Sequence, residues 1–466
     1  LGWQKKGFYA FSDGIATPRF TRIDANGIVE FDKKKYFLPA FSKIYETIIE
    51  GDDYYANDRK FVYKESPVNF ETWASKFIDV FDENGKFGIA FLFVAFFRDI
   101  IQTTHEVCPI LYLFGPSGTG KSFMASSLNA LFNGRDLGFN LNSGTLVGFT
   151  RRLARYSNAI VWFEEFRNDI HTKIFQGLKG MYDGTGYEKG VMSNDHRTKK
   201  DPVNSTGVVT SQYLPTGDDN AFYNRTIILP VLTSKEGLTN KRIDDAEELK
   251  KWEEQGISSI LVEILRFRDK VEKDFQFVSN DILKEMKDAL KDEETVHRVV
   301  LNFSILLAMV KILEKCVSLP FTYKELKAVS IKKIIKQSGE ILGSDALGTF
   351  WSAIEYLVIE GIIEVDKDFK VRKDHKINER GRVISLDAPK DLLFLRLTRT
   401  HPKYMEQMRK QSGEVGIDLT SLQNYLKNHK AYLGTTPSER FSDNNSSAYV
   451  FDYDGIPMNL IIGKNQ

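Results

Sequence analysis

The sequence has few cysteines and histidines and no excess of either charge. Its two cysteines, Cys108 and Cys316, are far apart and have no metal-like spacing, so we expect buried thiols in a reducing compartment. The seven histidines also lack a ligand pattern. The 64 basic and 63 acidic side chains leave a net charge of +1. This balance excludes a globally basic surface, so any contact with nucleic acid must come from local patches.

Long hydrophobic runs are also missing. The longest apolar run, residues 87–97, is too short to cross a bilayer, and no signal peptide is recognisable. We therefore expect a cytoplasmic protein with no membrane partner. Because the chain begins with Leu1 rather than Met, we also expect it to be a piece of a longer protein.

Changes in the hydrophobic pattern divide the 466 residues into segments. In the first, Asn26-Gly27 predicts a hairpin turn between residues 21–23 and 28–31. In the fifth, strands are expected at 362–365 and 369–372. The six expected segments are a β-rich unit (1–62), a helical linker (63–108), a nucleotide-binding core (109–235), a helical region (236–318), a winged-helix-like module (319–384) and a mixed C-terminal region (385–466).

The core segment alternates between two hydrophobic periods. Strand-like runs alternate with helical stretches, and this order predicts an α/β fold whose parallel sheet is covered on both faces. The strand-like runs are 110–114, 159–163, 207–210 and 226–231, and the helical stretches are 121–132, 145–156 and 169–183.

A glycine-rich turn follows the first of these strands. Gly115, Gly120, Lys121 and Ser122 match every fixed position of the P-loop pattern. A chance glycine turn is the alternative, but the strand before the loop and the helix after it occur in the order that the motif requires. The expected ATP-binding residues are Gly115, Pro116, Ser117, Gly118, Thr119, Gly120, Lys121 and Ser122.

Each P-loop residue type has a chemical reason. Glycines let successive backbone N–H groups face a phosphate, and the helix that follows adds favourable partial charge. Lys121 can reach the β- and γ-phosphates, and the hydroxyl of Ser122 can hold Mg²⁺. The expected cofactors are therefore ATP and Mg²⁺.

Two carboxylates end the second strand, residues 159–165. This is the pattern of a Walker B strand, in which the first carboxylate orients Mg²⁺ and the second polarises the attacking water. Glu164 takes the first role here and Glu165 the second. The alternative is a strand end that carries solvated charges.

Polar residues also end the third strand. Gln212 is our first candidate for positioning the attacking water or sensing the γ-phosphate, and Ser211 is the second. Both residues are also suited to capping the strand end. Before the fourth strand lies Arg225, which in a ring assembly would face the nucleotide of a neighbouring subunit. A structural salt bridge is the alternative role for this arginine.

A basic insert lies between the second and third strands, at residues 189–202. Its ends are strand-like and its middle is polar, which favours a hairpin whose cations neutralise DNA phosphates. An exposed basic loop is the alternative. The expected DNA-binding residues are Lys189, His196, Arg197, Lys199 and Lys200.

In this order, these motifs resemble those of the AAA+ helicases of superfamily 3 and the related MCM-like, self-loading helicases of phages and mobile elements. The resemblance is carried by residues 115–122, 163–165, 210–212 and 224–225. It implies a homo-hexameric ring that hydrolyses ATP at subunit interfaces and moves along single-stranded or forked DNA, with the insert as the DNA-gripping hairpin. Glu164 and Gln212 replace the Asp and Asn that are commoner there.

The resulting interpretation is an ATP-driven DNA helicase that acts in replication of a phage or mobile element. No zinc-finger or primase pattern is present, so this chain should not synthesise primers. Two alternatives remain open. One is an AAA+ NTPase that remodels protein or acts in defence, which Tyr187 and Met192 in the insert leave possible. The other is a nucleotide-switched initiator that binds an origin without unwinding it.

Overall fold

The computed structural model describes most of the chain. The described residues are 1–46, 55–133, 138–167, 169–190, 198–215, 220–232, 239–342, 347–379, 382–412, 416–429 and 431–456.

The N-terminal unit contains two small antiparallel sheets. The first is a meander of β1 (Gly2–Gln4), β2 (Phe8–Phe11), β3 (Gly14–Ala16) and β4 (Phe20–Arg22), and the second pairs β5 (Ile28–Phe31) with β6 (Lys34–Phe37). A short helix, α1 (Lys43–Glu46), follows. The N–H of Trp3 donates to the carbonyl of Ser157 at 3.0 Å, which attaches the first sheet to the core segment.

The hairpin expected at Asn26-Gly27 is wrong, because β4 pairs with β3 and β5 pairs with β6. The Asp24 carboxylate accepts from the N–H groups of Asn26 and Ile28, at 2.8 and 2.9 Å. This side chain makes a turn that separates the two sheets instead of joining their strands.

Two helices lead to the core sheet. α2 (Phe70–Phe96) begins at Asn69, whose side chain accepts from the N–H of Thr72, and it breaks at Asp82, where φ is 51°. The half after the break is buried, as the apolar run at 87–97 predicts. α3 (Arg98–His105) follows. Among the described residues no single helix has the length and apolar composition to cross a membrane; α2 and α3 meet those criteria only as a pair bent by 78°.

The core is a five-stranded parallel sheet in the order β13-β7-β12-β9-β8. A separate two-stranded hairpin, β10 with β11, is inserted between α6 and β12. The bounds are β7 (Ile110–Phe114), α4 (Lys121–Asn133), β8 (Phe139–Asn140), α5 (Leu146–Arg155), β9 (Ile160–Phe166), α6 (Thr172–Asp183), β10 (Tyr187–Gly190), β11 (Thr198–Asp201), β12 (Thr206–Ser211) and β13 (Thr226–Pro230).

Alternate residues along β7 belong to different hydrophobic clusters. Leu111 and Leu113 pack with α2 and α4, whereas Ile110 and Tyr112 pack with α5 and α6. This period of two is what a strand between two helical layers requires. The predicted α/β arrangement, with both faces of a parallel sheet covered, is confirmed.

The described residues 239–342 form α7 (Asn240–Gln255), α8 (Ser259–Leu265), α9 (Arg268–Ala289), α10 (His297–Leu313) and α11 (Tyr323–Leu342). Gln337 on α11 covers the outer edge of the core sheet. Its amide donates to the carbonyl of Thr226 at 2.8 Å and accepts from the N–H of Ile228 at 3.4 Å. These bonds satisfy edge groups of β13 that would otherwise be open to pairing with another strand. Of the two cysteines, Cys108 is buried, whereas Cys316 is only partly covered.

The C-terminal part has its own hydrophobic core around Trp351 and Phe451. Its antiparallel sheet has the order β14-β15-β17-β16. The elements are α12 (Leu347–Ile359), β14 (Phe369–Glu379), β15 (Arg382–Leu395), α13 (Leu397–Ser412), α14 (Leu419–Asn428), β16 (Tyr432–Arg440) and β17 (Asn445–Asp452).

The strand expected at 362–365 is wrong. Only an isolated bridge joins Val365 to Phe369. The Asp368 carboxylate accepts from the N–H of Glu364 at 2.9 Å, which closes a turn over these residues. β14 pairs instead with β15, and the segment boundary expected between residues 384 and 385 falls within that strand.

Candidate functional site

Three of the predicted motifs meet at the carboxyl edge of the core sheet. β12 lies between β7 and β9, and Ser211 at its end is in register with both Phe114 and Phe166. The P-loop leaves the end of β7, the two glutamates lie near the end of β9, and Gln212 follows β12. Because parallel strands present their carboxyl ends at one edge, residues distant in the chain form one site there.

Backbone contacts hold the P-loop in place. The N–H of Gly115 donates to the carbonyl of Ser211 at 3.2 Å. A Cβ at position 115 would lie 2.3 Å from the carbonyl oxygen of Val231, so only glycine fits there. Gly118 and Gly120 have φ angles of 79° and 93°. Glycine adopts these left-handed conformations without strain, and anion-binding loops use them to turn successive N–H groups toward a phosphate.

Lys121 is the first residue of α4, and its side chain contacts this loop. Its ammonium donates to the carbonyl oxygen of Pro116 and lies 3.5 Å from Oγ1 of Thr119. Burial lowers the pKa of Lys121 to about 8, and the negative charge of Glu360 partly opposes that shift. The cation is therefore incompletely neutralised by its neighbours, and phosphate oxygens would be stronger partners than a carbonyl.

The two glutamates have different surroundings. Glu164 is half-buried, and burial, together with the charge of Glu165, raises its pKa; Arg152 opposes the rise. Glu165 is exposed and has a φ of 55°. Its carboxylate Oε2 accepts from Nδ2 of Asn140 at 2.7 Å, and its carbonyl oxygen accepts from Nδ2 of Asn142 at 2.5 Å.

Neither asparagine was predicted to belong to the site. Asn140 ends β8, the two-residue strand beside β9, and is in register with Glu164. A polar residue on a strand that short carries no recognisable pattern. Only the pairing of β8 with β9 reveals that its amide reaches the second glutamate.

The donor chemistry at this edge suits Mg²⁺. Ser122 offers an exposed hydroxyl and Glu164 a carboxylate, and oxygen ligands are those that this ion prefers. Within the described part of the chain, no group of three or more His, Cys, Asp or Glu side chains could hold a metal alone. Mg²⁺ at nucleotide sites is usually bound through one or two protein oxygens, with phosphates and water as its other ligands.

The two polar candidates at the end of β12 differ in the exposure of their side chains. Ser211 is buried; its hydroxyl donates to the carbonyl of Phe166 and accepts from the N–H of Tyr213, each at 2.8 Å. It therefore has a structural role. Gln212 is exposed at the edge and lines a cavity of about 20 Å³ with Phe114 and with Tyr356 of α12. The C-terminal part thus contacts the same edge that carries the P-loop.

An apolar cavity of about 610 Å³ adjoins the P-loop, and no motif in the sequence predicts it. It lies between the break in α2, the first turn of α4, the end of β13 and α7. Phe81 and Phe123 are in contact on its wall, with ring centroids 5.3 Å apart. The cavity is also lined by Gly118, Gly120, Leu232 and Ile243. A cavity of this size and polarity suits the base and ribose of a nucleotide.

Arg225 lies at the opposite, amino edge of the sheet. Thr226, the next residue, is in register with Ile110 at the start of β7. The length of β7 therefore separates Arg225 from the P-loop of the same chain, about 16 Å at 3.3 Å per residue. Its Nη2 lies 3.1 Å from Oδ2 of Asp183, and its Nη1 donates to the carbonyl of Ala221 at 2.7 Å. Arg225 therefore forms an ion pair with Asp183, which is the alternative role expected for this arginine.

The basic insert has the expected backbone pairing. β10 and β11 form an antiparallel hairpin in which Lys189 is in register with Lys199 and Glu188 with Lys200. The Thr150 hydroxyl donates to the Asp201 carboxylate at 3.2 Å and anchors the base of the hairpin to α5. His196 and Arg197 lie outside the described residues.

Comparisons with known proteins give only distant likenesses. No protein-family model and no curated protein match the chain. Among solved structures, the active helicase SCCmec type IV Cch is 13% identical with a TM-score of 0.47, over 97% of this chain and 98% of its own. The C-terminal region of NrS-1 is 18% identical with a TM-score of 0.30, over 68% and 74%. At these values the likenesses decide neither fold nor function.

Proposed function

We propose that the chain is an ATP-hydrolysing DNA helicase or translocase of the AAA+ type, similar to the superfamily 3 and MCM-like self-loading helicases. One observation carries the proposal. The P-loop, the Glu164–Glu165 pair and Gln212 meet at the carboxyl edge of a parallel sheet in which β12 lies between the other two strands. A hydrolytic nucleotide site needs a phosphate cradle, carboxylates and a polar group that reaches the attacking water.

In this proposal the P-loop N–H groups and Lys121 bind the β- and γ-phosphates. Mg²⁺, held by Ser122 and Glu164, supplies charge neutralisation when bound. Glu165 orients and deprotonates the attacking water, and Gln212 positions that water or detects the γ-phosphate. The apolar cavity beside the loop accommodates the base, so that the nucleotide lies with its phosphates toward the sheet edge.

We propose further that the chain works as a ring, with six copies as the resemblance implies. Arg225 lies too far from its own P-loop to act on it, so its phosphate contact would be to the nucleotide of a second copy. The P-loop and the two glutamates lie at one edge of the sheet, and Arg225 lies at the other. A head-to-tail contact would join these edges, and such a contact closes into a ring when its rotation permits.

The β10–β11 hairpin is the proposed DNA contact. It is inserted between α6 and the start of β12, and so leaves the core at the amino edge. The proposed DNA-binding residues are Lys189, His196, Arg197, Lys199 and Lys200. Cations on such a hairpin would neutralise backbone phosphates without reading bases. Replication of a phage or mobile element is the biological setting that the resemblance implies.

A strand-displacement assay tests the proposal. Forked DNA with a single 3′ tail, a single 5′ tail or both is mixed with the chain, ATP and Mg²⁺, and Lys121→Ala serves as the inactive control. We expect ATP-dependent displacement that requires one of the tails. ATP hydrolysis that DNA does not stimulate, without displacement, would favour a protein-remodelling NTPase. Tight binding to duplex DNA with negligible turnover would favour an initiator.

The initiator alternative draws on one feature of the C-terminal part. Lys373 and Lys376 are exposed on β14, a strand of the long hairpin with β15. Basic residues on a projecting hairpin can contact duplex phosphates. Substituting both lysines would abolish function in an initiator but would leave unwinding by a ring helicase largely intact.

A further inference from the structure

A polar cleft of about 530 Å³ lies at the amino edge of the core sheet, beside Arg225. It is bounded by α6, the turn before β13 and the first turn of α10. Its described lining carries three basic side chains, Lys179, Arg225 and Arg298, and one acidic side chain, Asp183. The cleft is therefore a candidate anion site at the edge opposite to the P-loop.

The two arginines differ in how they are held. Arg225 donates to Asp183 through Nε at 3.3 Å and Nη2 at 3.1 Å, and its Nη1 bonds to the carbonyl of Ala221. Arg298 donates from Nη1 to the neutral amide oxygen of Asn224 at 3.2 Å. Within the ranges that the structure describes, no carboxylate lies within ion-pair distance of Arg298. The sequence pattern singled out Arg225, yet Arg298 has the less neutralised charge.

The surroundings of Arg298 favour an incoming anion. Arg298 is half-buried; its guanidinium lies 5.7 Å from the centre of the Tyr182 ring, and that of Arg225 lies 5.8 Å from the same centre. A partly desolvated cation without a counter-ion loses hydration that an anion would replace. The guanidinium fork also matches two phosphate oxygens, which an ammonium group does not.

We propose that Arg298 is a second arginine that acts on a nucleotide held on the P-loop of another copy of this chain, where it stabilises the negative charge that develops on the terminal phosphates during hydrolysis. This inference rests on the proposed ring function. The length of β7 separates the cleft from the P-loop of its own chain, so the phosphates that it meets belong to a second copy. Asp183 keeps Arg225 occupied until a phosphate replaces it, whereas Arg298 is available from the start.

The first test compares Arg298→Ala with Arg298→Lys and with Arg409→Ala, an exposed arginine of α13 that serves as control. ATP affinity is measured by calorimetry and turnover by phosphate release. We expect unchanged ATP affinity in all three variants and turnover at least about tenfold lower in Arg298→Ala. Arg298→Lys should keep part of the turnover. Melting temperatures verify folding, and Arg298→Gln replaces the alanine variant if that one unfolds.

The second test mixes Arg298→Ala, whose turnover is expected to be low, with Lys121→Ala, which is expected to be inactive. In a mixed assembly, the intact P-loop of an Arg298→Ala subunit can meet the intact Arg298 of a Lys121→Ala subunit. Equal random mixing makes about a quarter of the sites complete. We therefore expect activity to return on mixing, and that return would assign Arg298 to the neighbouring nucleotide.

Three results would overturn the inference: wild-type turnover in Arg298→Ala, loss of its ATP affinity, or no recovery on mixing. A wild-type chain that neither binds nor hydrolyses ATP would instead contradict the proposed function. The two failures are therefore distinguishable.

Discussion

Nδ2 of Asn140 donates a hydrogen bond of 2.7 Å to Oε2 of Glu165, and so joins the shortest strand of the core sheet to the carboxylate proposed to activate water. This hydrogen bond occupies one carboxylate oxygen and restrains the rotamer of Glu165. The amide therefore competes with the water that Glu165 would deprotonate. The contact makes Asn140 a positioning residue for that glutamate.

Replacing Asn140 with Ala should raise ATP turnover several-fold, because the Glu165 carboxylate regains an oxygen that can accept from the attacking water. ATP affinity should not change. Steady-state phosphate release gives both values. In a Glu165→Gln background the same substitution should have no effect, since the carboxylate is already absent. A drop in turnover for the single variant would show that the amide supports the active rotamer.

Glu165→Gln should bind ATP with wild-type affinity and hydrolyse it at least about a hundredfold more slowly, because the general base is lost. Calorimetry and single-turnover hydrolysis separate the two effects. Glu164→Gln is the matched control and should instead raise the Mg²⁺ concentration needed for half-maximal hydrolysis. Near-normal turnover in Glu165→Gln would show that Glu165 is not the general base.

ATP affinity should fall as the pH rises through about 8. The free chain holds the pKa of Lys121 at about 8, and phosphate binding requires the protonated ammonium. Below pH 8 the lysine is already charged and affinity is flat; above it, each pH unit should weaken binding by up to about tenfold. Calorimetry from pH 7 to 9 measures the trend. Lys121→Ala should show little binding at any pH, and unchanged ATP affinity there would contradict the P-loop assignment.

Phe81→Ala should weaken ATP binding by about tenfold, in the range measured for aromatic contacts to a base. Affinity for inorganic tripolyphosphate, which has no base, should stay the same. Phe277→Ala is the control, since that side chain is 78% exposed on α9. Ile243→Ala, on the rim of the same cavity, is the milder variant if Phe81→Ala is unstable. An equal loss of affinity for ATP and for tripolyphosphate would show that the base does not bind in this cavity.

Replacing Lys199 and Lys200 with Ala should weaken binding to single-stranded DNA and lower its dependence on salt. Each lost phosphate contact reduces the slope of log affinity against log salt by about 0.7. Fluorescence anisotropy across salt concentrations measures it. The same change at Lys34 and Lys35, on the hairpin of β5 and β6, is the matched control. An unaltered salt slope would show that Lys199 and Lys200 do not contact DNA phosphates.

Local patterns predicted most of the core and less of the flanking parts. β7, β9, β12 and β13 were predicted because an apolar run between turn residues specifies a strand wherever it lies. The errors at Asn26-Gly27 and at residues 362–365 have one cause. There an aspartate side chain bonds to nearby N–H groups and makes a turn, and a short apolar run does not reveal that competition.

The sequence by itself determined the P-loop, the glutamate pair and the parallel sheet, because each depends on residues that are close in the chain. Tertiary structure alone decided what surrounds them. The asparagine beside Glu165 comes from a neighbouring strand, the apolar cavity from a broken helix, and the cleft arginine Arg298 from a helix that begins long after Arg225. Contacts between distant segments follow from strand order and helix packing, which no short motif encodes.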